Sequence, residues 1–289
     1  PQTRLAEYLA PLSLLKADPG AEIGAAMACR GALWERLWQP ILVAILNTQP
    51  ERSAAGLAAQ VLRETLGAGG QACRPMVAAG GLSAAFIDPA LAYLEARGGQ
   101  IRFGTRLRGL RVANDRVEAM LFADGEVPTG PEDRIVLAVP PWVAEEIVSG
   151  LRVPTEHRAI VNAHFAAAPA FDQPAILGIV GGTSEWLFAY PGRLSVTISD
   201  ADRLLDTPRE DLAATIWREI APLSEHDPSA LPPWQIVKEK RATFAATPAM
   251  DARRPRARTH LSNLVLAGDW TATGLPATQG YWDGALLTD

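Results

Sequence analysis

Apolar positions along the 289-residue chain fall into three regimes. Near the start they recur at helical spacing, with Leu5, Leu9, Leu12 and Leu15 close to one face of a helix over Pro1–Leu15 despite Pro11. Leu33–Leu46 is dense in Trp and aliphatic residues and is interrupted by Pro40, which predicts two short buried helices. Pro50-Glu51-Arg52-Ser53 opens a further helix with Leu57, Val61, Leu62 and Leu66 on one side, ending at Gly67 where a C-cap glycine is expected. From Asp88 the pattern shifts. Asp88-Pro89 starts a helix carrying Leu91, Tyr93 and Leu94 and stopping at Gly98-Gly99. Short β-type runs follow over Ile101–Leu107, Leu110–Val112, Val117–Phe122 and Ile135–Val139, parted by turns at Asn114-Asp115 and Asp124-Gly125. The last run is apolar without alternation and leads through Pro140-Pro141 into a helix over Trp142–Val148, so it belongs in a sheet covered on both faces. The third regime, 151–245, mixes strands at Ile176–Val180, Trp186–Tyr190, Leu194–Ile198 and Trp234–Lys240 with one helix, Thr207–Ala221. That helix buries Leu212, Ile216, Trp217 and Ile220. A final strand, Asn263–Ala267, runs into Gly268-Asp269 and a loop of small residues. The fold class is mixed α/β with an α+β portion.

Composition narrows the classes. At 48% hydrophobic and 20% charged residues the chain is globular, which excludes intrinsic disorder. A net charge of −5 argues against a nucleic-acid partner, which calls for a basic footprint. No run approaches the ~20 apolar residues of a membrane span, although peripheral membrane contact stays open. Cys29 and Cys73 are too few for a disulfide framework or a zinc site, and they suit a reducing, cytoplasmic setting. The start of the chain at Pro1 has no basic n-region and no apolar h-region before a small-residue cleavage site, so no secretory leader is expected in it. The four histidines lack metal-site spacing, and no serine sits in a G-x-S-x-G context. The basic run Arg253-Arg254-Pro255-Arg256-Ala257-Arg258 reads as a solvated loop or as a contact for anionic lipid headgroups.

Two motifs compete for a nucleotide. Gly67-Ala68-Gly69-Gly70-Gln71-Ala72 matches the dinucleotide fingerprint in letters, but it follows a helix and precedes Cys73-Arg74-Pro75, which starts a helix poorly. The chemistry needs that loop between a strand and a helix, so the match reads as a helix terminus. The second motif is the strand end at Gly268-Asp269 with Thr271-Ala272-Thr273-Gly274-Leu275-Pro276-Ala277-Thr278 behind it. A buried strand delivers a glycine and an acid at its C-terminal end, where open α/β sheets bind ligands, and the loop offers amides with little bulk.

Leu264-Val265-Leu266-Ala267-Gly268-Asp269 followed by Gly274-Leu275-Pro276-Ala277-Thr278 resembles the C-terminal flavin motif of FAD-dependent amine oxidases and carotenoid-type desaturases. Further stretches resemble one branch of that superfamily, the squalene-associated FAD-dependent desaturases or hydroxysqualene dehydroxylases. They include Leu33-Trp34-Glu35, Leu46-Asn47-Thr48, Leu137-Ala138-Val139-Pro140-Pro141-Trp142, and Glu239-Lys240-Arg241-Ala242-Thr243-Phe244 through Pro248. The resemblance implies an incomplete, Rossmann-like FAD-binding domain interleaved with a mixed helix and sheet substrate domain. Segments 80–150 and 246–289 would form the FAD domain, and 1–79 and 151–245 the substrate domain. It implies FAD as cofactor, with Gly268 and Asp269 at the ribityl and pyrophosphate, Leu275, Pro276, Ala277 and Thr278 along the isoalloxazine, and Leu107 holding the adenine side through its backbone. It implies reductive removal of the hydroxyl of hydroxysqualene to give squalene for hopanoid synthesis. Two features depart from the family: the N-terminal glycine fingerprint unit is absent, so the chain is expected to be a truncated piece, and Gln279-Gly280 stands where the family has Glu-Gly-Ala.

Loss of a hydroxyl needs an acid for the leaving oxygen or stabilisation of an allylic cation. Glu35, Glu185, Asp269 and Asp283 are candidate acids, and Trp34, Trp38 and Trp186 are candidate aromatic faces. Trp34 and Trp38, four apart, also suit core packing. The alternatives to a hydroxysqualene enzyme are an amine oxidase, a carotenoid desaturase, or a non-catalytic isoprenoid-binding fragment.

Overall fold

The computed structural model describes residues 3–78, 80–170 and 172–273. The first third is helical: α1 (Leu5–Tyr8), α2 (Ile23–Ala26), α3 (Gln39–Leu46) and α4 (Ala55–Glu64), joined by 3₁₀ turns. A wide π-type turn, Trp34–Trp38, runs directly into α3, so the Trp-rich stretch is one nearly continuous buried rod. The single helix expected over Pro1–Leu15 is instead α1 followed by a 3₁₀ segment, Ala10–Lys16, with Pro11 in its first turn. Three residues per turn place Leu9, Leu12 and Leu15 on one stripe. That stripe faces outward, while Pro11 and Leu14 are buried.

A bare α5 (Asp88–Glu95) precedes a three-stranded meander, β1 (Gly109–Ala113), β2 (Arg116–Phe122) and β3 (Gly125–Pro128). Ile101–Leu107, expected as a strand, lacks a ladder partner among the described residues. Asn114 and Asp115 both take left-handed conformations, which is the turn geometry that closes a two-residue hairpin. Then come β4 (Ile135–Leu137) and α6 (Pro141–Ile147). The second unit is an antiparallel five-stranded sheet of order β6-β7-β8-β5-β9: β5 (His157–Phe165), β6 (Ile176–Gly178), β7 (Trp186–Tyr190), β8 (Arg193–Ile198) and β9 (Trp234–Phe244). Helix α7 (Arg209–Ile220) covers it with Leu212, Ile216, Trp217 and Ile220, the face its spacing predicts. The chain returns through α8 (Pro248–Asp251) to β10 (Leu264–Leu266), which pairs in parallel with β4.

Two cores result. One gathers the helical third, β4, β10 and α6; the other lies between the five-stranded sheet and α7. Asn47 couples them. Held in the left-handed region, its Nδ2 donates to Thr243 Oγ1 at 2.9 Å, and its Oδ1 accepts from the Asp200 amide at 2.7 Å. Among the described residues no helix is long and apolar enough to cross a membrane.

Candidate functional site

The parallel pair β4–β10 builds the site. Its registration is fixed at both ends: the Ile135 amide donates to the Asn263 carbonyl at 2.8 Å, and the Ala267 amide to the Leu137 carbonyl at 3.1 Å. Asn263 is buried, and its side-chain amide exchanges two hydrogen bonds with the Val117 backbone, 2.9 and 3.0 Å long. That contact pins the meander against the pair.

Gly268, two residues beyond the end of β10, has φ +152°, a region L side chains rarely adopt, and the Trp270 indole fills the space a side chain would need. A Cβ at Gly268 would lie 2.6 Å from Trp270 Nε1. That indole in turn donates to the Val139 carbonyl at 3.0 Å, tying the loop after β10 to the end of β4. Between them stands Asp269, mostly buried. Burial pushes its carboxyl above the usual carboxylate range, opposed by the Trp270 amide, the Arg254 charge and its own amide.

Arg254 organises the same loop from behind. Its side chain is 2% exposed, pairs with Asp251 at 3.0 Å, and donates to the carbonyls of Asp269 at 3.3 Å and Thr271 at 2.5 Å. The guanidinium also lies 5.1 Å from the Phe244 ring centroid. The basic run therefore is not one solvated patch. Arg253 donates to the Val153 carbonyl at 2.8 Å and Arg254 is interior, while Arg256 and Arg258 are exposed. Sequence reasoning missed this because a run of like charges gives no sign of which member faces inward.

Below the loop lies a cleft of about 90 Å³ lined by Trp142, His157, Arg241, Phe244, Asp269 and Trp270. The His157 ring meets Trp142 edge-on, centroids 5.0 Å apart, and the Arg241 guanidinium stacks 4.6 Å from the Trp142 centroid. Burial and then the Arg241 charge hold the His157 imidazole below its ordinary range, with a Thr155 backbone hydrogen bond opposing. Neither His157 nor Arg241 stood out beforehand. His157 opens β5, whose alternate buried positions include Ala159 and Ala163, so the strand itself gave a weak apolar signal.

The remaining candidates separate. Leu107 enters the meander, half-buried against the first core, rather than sitting on the parallel pair. Glu35 is exposed, and Trp34 and Trp38 are core residues, the latter donating to the Glu7 carbonyl at 3.0 Å. Glu185 accepts from the Ser199 amide at 2.7 Å and lies 3.8 Å from Arg203, which joins the turn before β7 to the end of β8. Burial raises its carboxyl, with the Ser199 amide and Arg203 opposing. Trp186 lies on β7, half-buried. Leu275, Pro276, Ala277, Thr278 and Asp283 lie outside the described residues. The fingerprint-like Gly67–Ala72 follows α4 through a 3₁₀ turn and leads into turns, not between a strand and a helix. Among the described residues no cluster of His, Cys, Asp and Glu is arranged to hold a metal ion.

The donor set at β10 fits part of a dinucleotide: a glycine without room for a side chain, then a buried carboxylate, at the C-terminal end of a parallel strand. Residues 6–288 match the family described as flavin containing amine oxidoreductase. The chain is 54% identical over 279 residues to a hydroxysqualene dehydroxylase of Rhodopseudomonas palustris, covering 96% of this chain and 66% of that protein. It is 50% identical over 278 residues to a protein of the same name from Sinorhizobium fredii, again covering 96% and 66%. It thus spans just under two thirds of the length of these relatives. In fold it is similar to an oxidoreductase from Methanosarcina mazei, with TM-score 0.68, 14% identity, and coverage of 97% of this chain and 70% of that one.

Proposed function

The chain belongs to the flavin containing amine oxidoreductase family, and from that premise we propose that it is the larger part of an FAD-dependent oxidoreductase that removes the hydroxyl of hydroxysqualene to give squalene. The observation that carries the reading is the buried Asp269 carboxyl behind Gly268 at the end of β10. The names of the relatives support hydroxysqualene as the substrate.

In this reading Gly268 and Asp269 hold the ribityl and pyrophosphate side of FAD, Leu275, Pro276, Ala277 and Thr278 run along the ring, and Leu107 takes the adenine side. Segments 80–150 and 246–289 form the FAD domain, and 1–79 and 151–245 the substrate domain. When bound, the flavin supplies the reducing equivalents. Trp270 and Arg254 fix the backbone at Asp269, and the aromatic and aliphatic walls keep water from the reacting carbon. The enzyme is cytoplasmic and meets the membrane peripherally, with squalene feeding hopanoid synthesis. The outward leucine stripe at Leu9, Leu12 and Leu15 supports the membrane contact.

The test is anaerobic incubation of the full gene product, its flavin reduced, with hydroxysqualene. The expected result is squalene in proportion to flavin oxidised. Conversion of an amine or a carotenoid in its place, with hydroxysqualene untouched, overturns the reading.

A further inference from the structure

Arginines from two separate segments converge on an open groove of about 260 Å³. Arg152 comes from the loop after α6, and Arg253, Arg256 and Arg258 come from the basic run between α8 and β10. We propose that this groove binds an anionic phosphoryl group, carried by a small phosphate in solution or by a lipid headgroup. No residue lines both this groove and the cleft at Asp269, so the site stands apart from the one given to the flavin.

Backbone contacts place these side chains. Residues 255–258 run antiparallel to β10 and the loop behind it. The Leu266 amide donates to the Ala257 carbonyl at 2.7 Å, and the Ala272 amide to the Pro255 carbonyl, also at 2.7 Å. Ala257 is buried, so the alternation of an extended chain turns Arg256 and Arg258 to the same, outer side. Arg253 is held through its Nε, which donates to the Val153 carbonyl at 2.8 Å and leaves its terminal nitrogens for a ligand. That bond also ties the basic run to the loop that carries Arg152. The charge there is uncompensated. Among the described residues none of Arg152, Arg253, Arg256 and Arg258 pairs with a carboxylate, and no acid lines the groove. Asp251 is occupied by Arg254 at 3.0 Å, and Glu145 and Glu146 on α6 lie outside the lining. Four like charges in one groove repel one another and focus a positive field, in a chain whose net charge is −5. An anion relieves that repulsion. A guanidinium fork matches either a carboxylate or a phosphate, but a carboxylate fills a single fork, whereas a phosphoryl group with three oxygens and up to two charges engages several.

The test uses the full gene product, loaded with FAD and freed of the excess. Inorganic diphosphate is titrated into it by calorimetry, and vesicles of phosphatidylglycerol or of phosphatidylcholine are sedimented with it. The wild type is expected to bind diphosphate, phosphatidylglycerol vesicles or both, and to bind phosphatidylcholine vesicles less. An Arg256→Gln, Arg258→Gln double variant should weaken that binding roughly tenfold or more, the loss of two charge-assisted contacts in an open site. Arg209→Gln with Arg218→Gln removes the same charge from the exposed side of α7 and should change binding by less than ~2-fold, since salt screens distant charges. Circular dichroism checks folding, and if the groove double variant does not fold, Arg152→Gln carries the test with a smaller loss. Groove-dependent binding of diphosphate alone identifies a soluble phosphate as the ligand, and groove-dependent binding of phosphatidylglycerol vesicles alone identifies a headgroup. A wild type that binds neither probe, or equal losses in the groove and α7 variants, overturns the proposal.

Discussion

The five-stranded sheet with α7 and the stretch from Leu66 to Arg106 use similar residues to opposite ends. In the sheet unit Phe165, Leu187, Leu194, Ile198, Ile216, Trp217 and Ile220 are all 2% exposed or less. In the other stretch Leu82 is 70% exposed, Tyr93 56%, Ile87 54% and Phe103 82%, although Asp88–Glu95 is a regular helix. The first region buries its apolar face within itself, so tertiary packing stabilises its strands. The second holds its helix through the Pro89 start and local hydrogen bonds, and short helices of that kind are marginal. The strand end at Gly268-Asp269 lies in the other core, where Asn263, Trp270 and Arg254 lock it by hydrogen bonds as well as packing.

Hydrogen exchange should show the contrast most strongly. Amides of β5 and β8 are expected to exchange at least ~10³-fold more slowly, relative to their intrinsic rates, than those of α5, because the former open only with the whole unit. Equal protection would break the comparison. Next in size, Trp217→Ala removes an indole packed 5.2 Å from Phe165 and bonded to the Asp227 carbonyl at 3.2 Å. It should cost about 3–5 kcal/mol in urea unfolding. Arg254→Ala should cost about 3 kcal/mol, since it strips a buried pair and leaves two carbonyls without their donor. Glu219 sharpens the contrast through pH. Burial pushes its carboxyl up, but hydrogen bonds from Ser184 and Thr183 outweigh that and leave it below the usual range. A depressed carboxyl stabilises the fold above its unfolded pKa, and the contribution is lost as pH falls through the folded value. Glu219→Gln should therefore lower stability by about 1 kcal/mol at neutral pH and flatten the acid limb of a stability–pH profile. Smallest of all, Met76→Ser and Phe103→Ser should move stability by less than ~0.5 kcal/mol, because these side chains are 97% and 82% exposed.

The same division explains what was legible in the sequence. The Thr207–Ala221 periodicity picked out four of the five residues that α7 buries, missing only the small Ala213, because helical spacing records which face meets a sheet. The turn at Asn114-Asp115 was legible because few residues accept left-handed backbone. Strand β5 was not, since alanines carry much of its inner face and alanine has little β preference. The leucines at 9, 12 and 15 misled because one period fits both an α-helical and a 3₁₀ stripe, and Pro11 decides between them. The cleft was hidden for another reason: Trp142, His157, Arg241 and Asp269 come from four separate segments, and only the pairing of β5 with β9 brings two of them together.

The central claim is that the end of β10 holds the flavin. Its most direct test is the visible spectrum of the full gene product and of its Gly268→Val variant after incubation with FAD and removal of the excess. The wild type should keep flavin near one per chain. The variant, folded by circular dichroism, should keep almost none, because a side chain there collides with Trp270 and displaces the backbone at Asp269. A folded Gly268→Val protein that retains its full flavin complement would contradict the account.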